Sequence, residues 1–263
     1  MTWSPDGVSV CLPALDEAST VGRIVTTIRS ELMGPGGPVS EVVVVDDGST
    51  DQTAGVARES GAVVVTSRGS APGHPAGKGA AMAAGLEATT GAIVVYCDAD
   101  VDDFSAHFVT RLLEPLSDPG VQMVKAFYRR PLGESPAGGG RVTELLARPL
   151  IRALLPHLQF VRQPLAGEIA VRRSALEQVE FEPGYAVDLA LIIDLTDRYG
   201  VDALAQADLD VRHHRNRSLE QLSDQAEEIL RMVLRRVGAG DVLENGRNGR
   251  TGQNGRTGLR AWG

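Results

Sequence analysis

Short runs of β-branched apolar residues alternate with stretches of helical period over the first half of the chain. VSVCLPA, VSEVVVVDD and GAVVVTS read as strands, and between them Val21 to Leu32 and Asp51 to Ser60 carry apolar residues at helical spacing. This β-α-β-α-β rhythm predicts a parallel sheet, since parallel neighbours need a crossover and the crossover is normally a helix. EVVVVDD and GAIVVYCDAD are apolar without alternation, the pattern of strands covered by helices on both faces. Both runs end in carboxylates, Asp46 and Asp47 in one, Asp98 and Asp100 in the other. Ligands of open α/β sheets bind outside the carboxyl ends of the strands, so these four acids are expected to meet at one crevice.

The second half continues less regularly. An Ala-rich helix opens at Lys78, a helix spans Ser105 to Leu116, VQMVKAFYRR is a strand, and Arg141 to Leu155 is a helix. QPLAGEIAVRR reads as a strand and Val187 to Tyr199 as a buried helix. From Val201 to Val211 the odd positions are all apolar and the even ones almost all polar, which predicts a half-buried strand. Ser218 to Val237 is amphipathic, with Ser218 as N-cap and Gln221 at the capping-box position. ESPAGGG and HHRNRS are loops, the first a glycine-marked, flexible or ligand-closing one. Beyond Gly238 the near-repeat NGRNGRTGQNGRTG cannot bury a core. One α/β domain over residues 1–237, with a disordered, solvated tail over 238–263, is the expected organisation.

Composition narrows the function. The 263 residues carry a formal net charge of -8, which argues against a nucleic-acid partner. No apolar run approaches the roughly 20 residues that span a bilayer, and MTWSPDGVSV lacks the basic-then-apolar plan of a signal peptide, so the expected location is the cytoplasm, without membrane attachment. Cys11 and Cys97 each lie near the end of an apolar run and are expected as reduced core residues without chemistry. Lys78 and Lys125 are the two lysines among 26 basic residues, so lysine is retained at these positions in a chain that otherwise uses arginine.

In VVVVDDGSTDQT, Ser49, Thr50 and Asp51 are explained as helix caps. Asp46 and Asp47 are not, because adjacent carboxylates repel unless a donor or cation compensates them, and a nucleoside offers such donors. Asp98-Ala99-Asp100 points its first and third side chains the same way and can present two oxygens to a hard divalent cation, with magnesium or manganese bridging a diphosphate as the natural ligand. GHPAGKGAAMAAG is not a phosphate-binding GxxxxGK[ST] loop, but its Lys78 stands at a helix start, against the helix dipole, where a phosphate would relieve it. Gly140, Arg141 and Thr143 open a helix behind three glycines, which suits an anion through free N–H groups and a planar guanidinium.

A strand-end acid followed by DGST, a GKG segment and a strand-end Asp-x-Asp, in that order, resemble the GT-A glycosyltransferases. KAFYRRPL, GGGRVTEL, ARPL, QPLAGE, PGYAVD and HHRNR resemble more closely the actinobacterial glucosyl-3-phosphoglycerate synthases, over about Val8 to Arg236. The resemblance implies a GT-A, Rossmann-like doubly wound mixed sheet and retaining transfer of glucose from UDP-glucose to 3-phosphoglycerate. It also implies the site. Pro13, Leu15, Glu17 and the acids Asp46 and Asp47 would line the nucleoside pocket, with Asp98 and Ala99 near the ribose and sugar. Lys78 would face the diphosphate, and Asp100 with His214 would hold Mg2+ or Mn2+. Gly140, Arg141, Thr143 and Asn216 would take the small phosphorylated acid, while the Leu165 carbonyl and Asp188 would hold sugar and acceptor. A homodimer is implied as well. Three residues depart from the family pattern: Asp16 for Asn, Ala99 for Ser, and Asp188 for Glu, the last drawing its carboxylate back by about 1.5 Å. Two further readings fit the same residues: a GT-A transferase with another nucleotide-sugar or acceptor, including an inverting enzyme acting on a lipid phosphate, and a non-catalytic nucleotide-sugar binding protein.

Overall fold

The computed structural model describes residues 7–129, 140–212 and 219–239. Its strands are β1 (Val8–Ala14), β2 (Val39–Asp46), β3 (Val63–Thr66), β4 (Ile93–Tyr96), β5 (Met123–Arg129), β6 (Ile169–Arg172) and β7 (Leu204–Val211). They form one seven-stranded sheet in the order β3-β2-β1-β4-β6-β5-β7. β1 to β4 run parallel, β6 is antiparallel to both β4 and β5, and β7 returns parallel to β5. The sheet is thus mixed, with its parallel half at the N-terminal side.

Helices α1 (Val21–Leu32), α2 (Thr53–Glu59), α3 (Lys78–Ala88), α4 (His107–Leu113), α5 (Arg148–Leu154), α6 (Arg173–Leu176), α7 (Val187–Tyr199) and α8 (Leu219–Arg236) cover both faces. Side chains alternate across a strand, so each central strand feeds two cores. Val10, Leu12, Val42 and Val44 join Ile24, Ile28, Phe108 and Leu112 of α1 and α4 on one face. Cys11, Val43, Val45 and Tyr96 join Met82, Leu191 and Met232 of α3, α7 and α8 on the other. Burial on both sides is why these strands show no polar alternation. Cys11 and Cys97 are buried and free.

Several elements differ from the sequence expectation. QPLAGEIAVRR becomes a strand only from Ile169; residues 163–168 form a loop whose Gln163 side-chain amide reaches β5, accepting from Tyr128 N–H and donating to the Tyr128 carbonyl. The 105–116 helix stops at Leu113 and tightens into a 3-10 turn, Glu114–Ser117, where Pro115 supplies no amide hydrogen. Residues 141–154 are helical as expected, but with a π turn over Thr143–Ala147, a feature concentrated at functional positions. Val201–Ala203 is a 3-10 turn, so β7 begins three residues late. β3 is an edge strand with Val63 55% exposed, which explains why its apolar run is short. Among the described residues no helix is long and apolar enough to cross a membrane. Ser218 and the tail from residue 240 lie outside the described residues.

Candidate active site

The ends of β1, β2 and β4 deliver their residues to one edge of the sheet. After β1, Asp16 takes a left-handed backbone (φ 56) and its carboxylate accepts the N–H groups of Thr50 (2.7 Å) and Asp51 (3.3 Å). Ala18 N–H donates to Asp51 in return, and Glu17 N–H to Thr53 Oγ1. The loop bearing Leu15 and Glu17 is thereby tied to the caps of α2. The two acids at the end of β2 are compensated by backbone donors. Asp46 accepts from Ser49 N–H (3.1 Å) and does not line the cleft. Asp47 is buried, lines it, and accepts from Ala76 N–H (3.0 Å) and Gly77 N–H (2.8 Å). Fixing the 76–77 backbone sets the start of α3. Gly77 there has φ 100, and a side chain on Gly79 would collide with the Glu182 carbonyl. Lys78 is consequently aimed into the cleft.

A chain of alternating charges then crosses the site. Lys78 Nζ lies 3.0 Å from Asp98 Oδ1 and 2.9 Å from Asp188 Oδ2. The other Asp188 oxygen is 3.1 Å from Lys125 Nζ, which is fully buried on β5. The other Asp98 oxygen is 3.0 Å from Arg212 Nη2, which also reaches Asp100 Oδ1 at 2.7 Å. Arg212 Nη1 meets Glu168 (3.0 Å) and the Tyr128 hydroxyl (2.7 Å). Burial by itself would lower the Lys78 pKa, but Asp188 and Asp98 outweigh it and hold the ammonium charged well above the ordinary lysine value. Burial likewise opposes ionisation of Asp98, yet Lys78 and Arg212 keep its carboxyl well below the usual range. For Lys125, burial prevails over the attraction of Asp188 and the pKa is lowered.

Two local features position this chain. Gly167 packs so closely on the Asp98 carboxylate that no side chain fits between them. The β5–β7 register slips between Phe127 and Arg129, and Asp210 takes φ 65 beside Arg111, whose guanidinium binds Asp210 at 3.0 Å. Such a bulge re-aims the residues that follow it, here turning Arg212 back into the site.

The cleft has a volume of ≈ 300 Å³. It is lined by Pro13, Leu15, Glu17 and Asp47, by Lys78 with Asp98, Ala99 and Asp100, and by Gly140, Arg141 and Thr143 with Leu165 and Asp188. Gly140 (φ 80) precedes the helical turn, its carbonyl accepting Glu144 N–H, and leaves the first N–H groups at the cleft wall. Ala99 is buried and its carbonyl accepts the Thr20 hydroxyl at 2.6 Å. Among the described residues, those expected from the sequence to meet donor, diphosphate and acceptor line one cleft, Asp46 excepted.

A model of glycosyl transferase family 2 matches residues 9–179. The chain belongs to glycosyl transferase family 2. It is 47% identical to the glucosyl-3-phosphoglycerate synthase of Mycolicibacterium smegmatis, over 89% of this chain and 78% of that protein. It is 41% identical to the synthase of Petrotoga mobilis, over 88% and 73%. The solved synthase of Mycobacterium tuberculosis with Mn2+, UDP-glucose and phosphoglyceric acid superposes with a TM-score of 0.80 at 44% identity, covering 89% of this chain and 81% of that one. At that similarity the GT-A-like fold implied by the motifs is the fold observed.

The family 2 transferase was only partly readable before its fold was known. Lys125, Arg212, Glu168 and Gly167 contact the charged residues of the cleft and were not assigned from the sequence; for Lys125 the rarity of lysine was the one signal. α8 also contributes Leu222, Gln225 and Ile229 to the cleft wall, with Tyr185 beside them. His214 and Asn216 lie outside the described residues. Among the described residues no three metal-ligating side chains converge. The Asp98 and Asp100 pair nevertheless suits a cation: a guanidinium nitrogen lies within 3.0 Å of both carboxylates.

Proposed function

We propose that the chain transfers glucose from UDP-glucose to 3-phosphoglycerate with retention at the anomeric carbon, giving glucosyl-3-phosphoglycerate. The observation that carries this reading is a single cleft joining Lys78, Asp98 and Asp100 to the Gly140–Thr143 helix start, in a chain nearly half identical to the synthases named above. Pro13, Leu15, Glu17 and Asp47 bind the nucleoside side, and Asp98 and Ala99 the ribose and sugar. Arg141, Thr143 and the Gly140 turn, with Asn216, hold the acceptor phosphate. Asp100 and His214 hold Mg2+ or Mn2+, which supplies positive charge to the departing diphosphate.

The charge pairing favours retention without an enzyme nucleophile. Asp98, Asp100 and Asp188 are each engaged by a cation, so none is free as nucleophile or general base. An inverting transferase needs such a base. In the retaining step the acceptor hydroxyl oxygen bonds to the anomeric carbon on the face the nucleotide leaves. The bond from that carbon to the diphosphate oxygen breaks with its electron pair going to UDP, and the hydroxyl proton passes to the departing phosphate. Lys78 stabilises the developing diphosphate charge, while the Leu165 carbonyl and Asp188 hold sugar and acceptor, so catalysis is positioning plus charge stabilisation. A homodimer belongs to the same reading, and light scattering after size exclusion tests it. The activity test is a donor-by-acceptor matrix with Mg2+ and Mn2+, reading UDP release and the anomeric configuration of the product by NMR. An α-linked product from UDP-glucose and 3-phosphoglycerate is expected. A β-linked product, or turnover confined to other pairs, overturns the reading.

A further inference from the structure

Lys125 has no place in the transfer scheme as derived so far, yet it is joined to it. Its strand neighbours Met123, Val124 and Ala126 are all buried and apolar, and an apolar residue would fill its position without the cost of burying a charge. A buried pair of purely structural use would be closed, one cation on one carboxylate. This one is open. The carboxylate that takes Lys125 on Oδ1 takes Lys78 on Oδ2, and Lys78 is shared in turn with Asp98 in the cleft. Asp188 sits in the first turn of α7 and cannot move far, but it can rotate about its last side-chain bond. With Lys125 present each oxygen has its own ammonium. Without it, both oxygens would turn to Lys78 and draw that ammonium off Asp98.

We propose that Lys125 is a positioning residue for glycosyl transfer: by occupying one oxygen of Asp188 it fixes the other, and so fixes where the Lys78 charge stands against the diphosphate. This rests on the transfer reading given above. The use of lysine fits the role. The chain has 26 basic residues and reserves lysine for these two positions, which share one carboxylate. A guanidinium is broader and forks over two acceptors, whereas an ammonium makes a compact point contact.

That rarity also provides the test. Protein labelled with 15N at lysine Nζ has two side-chain resonances, assigned by the loss of one of them in Lys78→Arg. UDP with Mg2+ is titrated into the wild-type protein. Both resonances are expected to shift with one saturation curve, because the diphosphate pulls on Lys78 and Asp188 passes the change to Lys125. A stationary Lys125 resonance, whether or not Lys78 moves, overturns the proposal, and so does a Lys125 shift with a different midpoint. Lys125→Met adds the kinetic arm: a displacement of the order of 1 Å at Lys78 predicts roughly 100-fold lower kcat with acceptor KM within about twofold. A folded variant with wild-type kcat overturns it. If the wild-type enzyme transfers no glucose to 3-phosphoglycerate, the functional reading falls, while the titration with UDP still decides the coupling of the two lysines.

Discussion

Replacing Gly167 with alanine perturbs the Asp98 carboxylate without removing any charged atom. Gly167 does not adopt a left-handed backbone, so alanine meets no conformational strain there. Its methyl group would instead fall on all three atoms of the Asp98 carboxyl group, where separations under 3.0 Å force something to shift. Carbon–oxygen contacts relax at about 3.3 Å or more, so the carboxylate must retreat by on the order of 1 Å. Its two ion pairs, to Lys78 and Arg212, each stand at 3.0 Å. At an effective dielectric constant of about 20, opening such a pair to about 4 Å weakens it from about 5.5 to about 4.1 kcal/mol, a loss of roughly 1.4 kcal/mol. A loss of that size that falls on the transition state alone is worth about tenfold in rate. A displaced carboxylate keeps at most one of the two pairs intact, which puts the expected fall in kcat for Gly167→Ala between about 10-fold and about 100-fold. Initial rates of UDP release at saturating acceptor, with a thermal melt to confirm folding, measure it. A folded variant with wild-type kcat would refute the idea that the position of this carboxylate governs the reaction.

Three further outcomes are expected. Arg141→Ala should raise the acceptor KM by about 10-fold to 100-fold, the worth of a charged hydrogen bond to phosphate, with donor KM unchanged; a selective rise in donor KM would reassign the residue. Asp100→Ala should abolish metal-dependent turnover, and calorimetry of Mn2+ in the presence of UDP should show the metal affinity lost with it; metal binding at wild-type strength would remove Asp100 from the metal site. Asp98→Asn should lower the urea midpoint at neutral pH. Because Lys78 and Arg212 hold the folded-state pKa of Asp98 below its unfolded value, its contribution is present above about pH 4 and lost as pH falls towards the folded value. The gap between wild type and variant should therefore narrow below about pH 4, and a gap that widens on acidification would contradict the pairing.

The parts of the fold that were legible are those where one local rule governs. The Val42–Val45 stretch of β2 and all of β4 are unbroken apolar runs because both faces of the sheet are covered, and the strand ends carry Asp47, Asp98 and Asp100 to one edge for the same topological reason. Lys78 was legible because a cation at a helix start is out of place unless something anionic faces it. Other features depend on contacts far along the chain. Adjacent acids at the end of β2 suggested an external donor, but the backbone of Ala76 and Gly77 supplies it, and only the folded chain separates Asp47 from Asp46. Residues 163–168 carry strand-forming character, yet the loop is needed to bring Gly167 against Asp98 and Glu168 under Arg212. Arg212 directly follows the alternating strand β7 and is re-aimed by the register slip beside Asp210. No local pattern marks such a turn.

The bonds that neutralise the acidic sheet edge span long stretches of sequence: 110 residues separate Lys78 from Asp188, and 112 separate Asp100 from Arg212. A nascent chain that has emerged only through residue 100 already carries Asp98 and Asp100 together with Lys78, but not Arg212. Its parallel half can pair early through contacts close in sequence, while Asp98 and Asp100 lack the second of their two cationic partners until residue 212 follows β7 into place. Closure of this acidic edge thus waits for a residue 112 positions after Asp100. A chain cut short before residue 212 would leave Asp100 without its guanidinium and Asp98 with Lys78 alone of its two cations, so the two carboxylates would repel one another more strongly than in the folded chain.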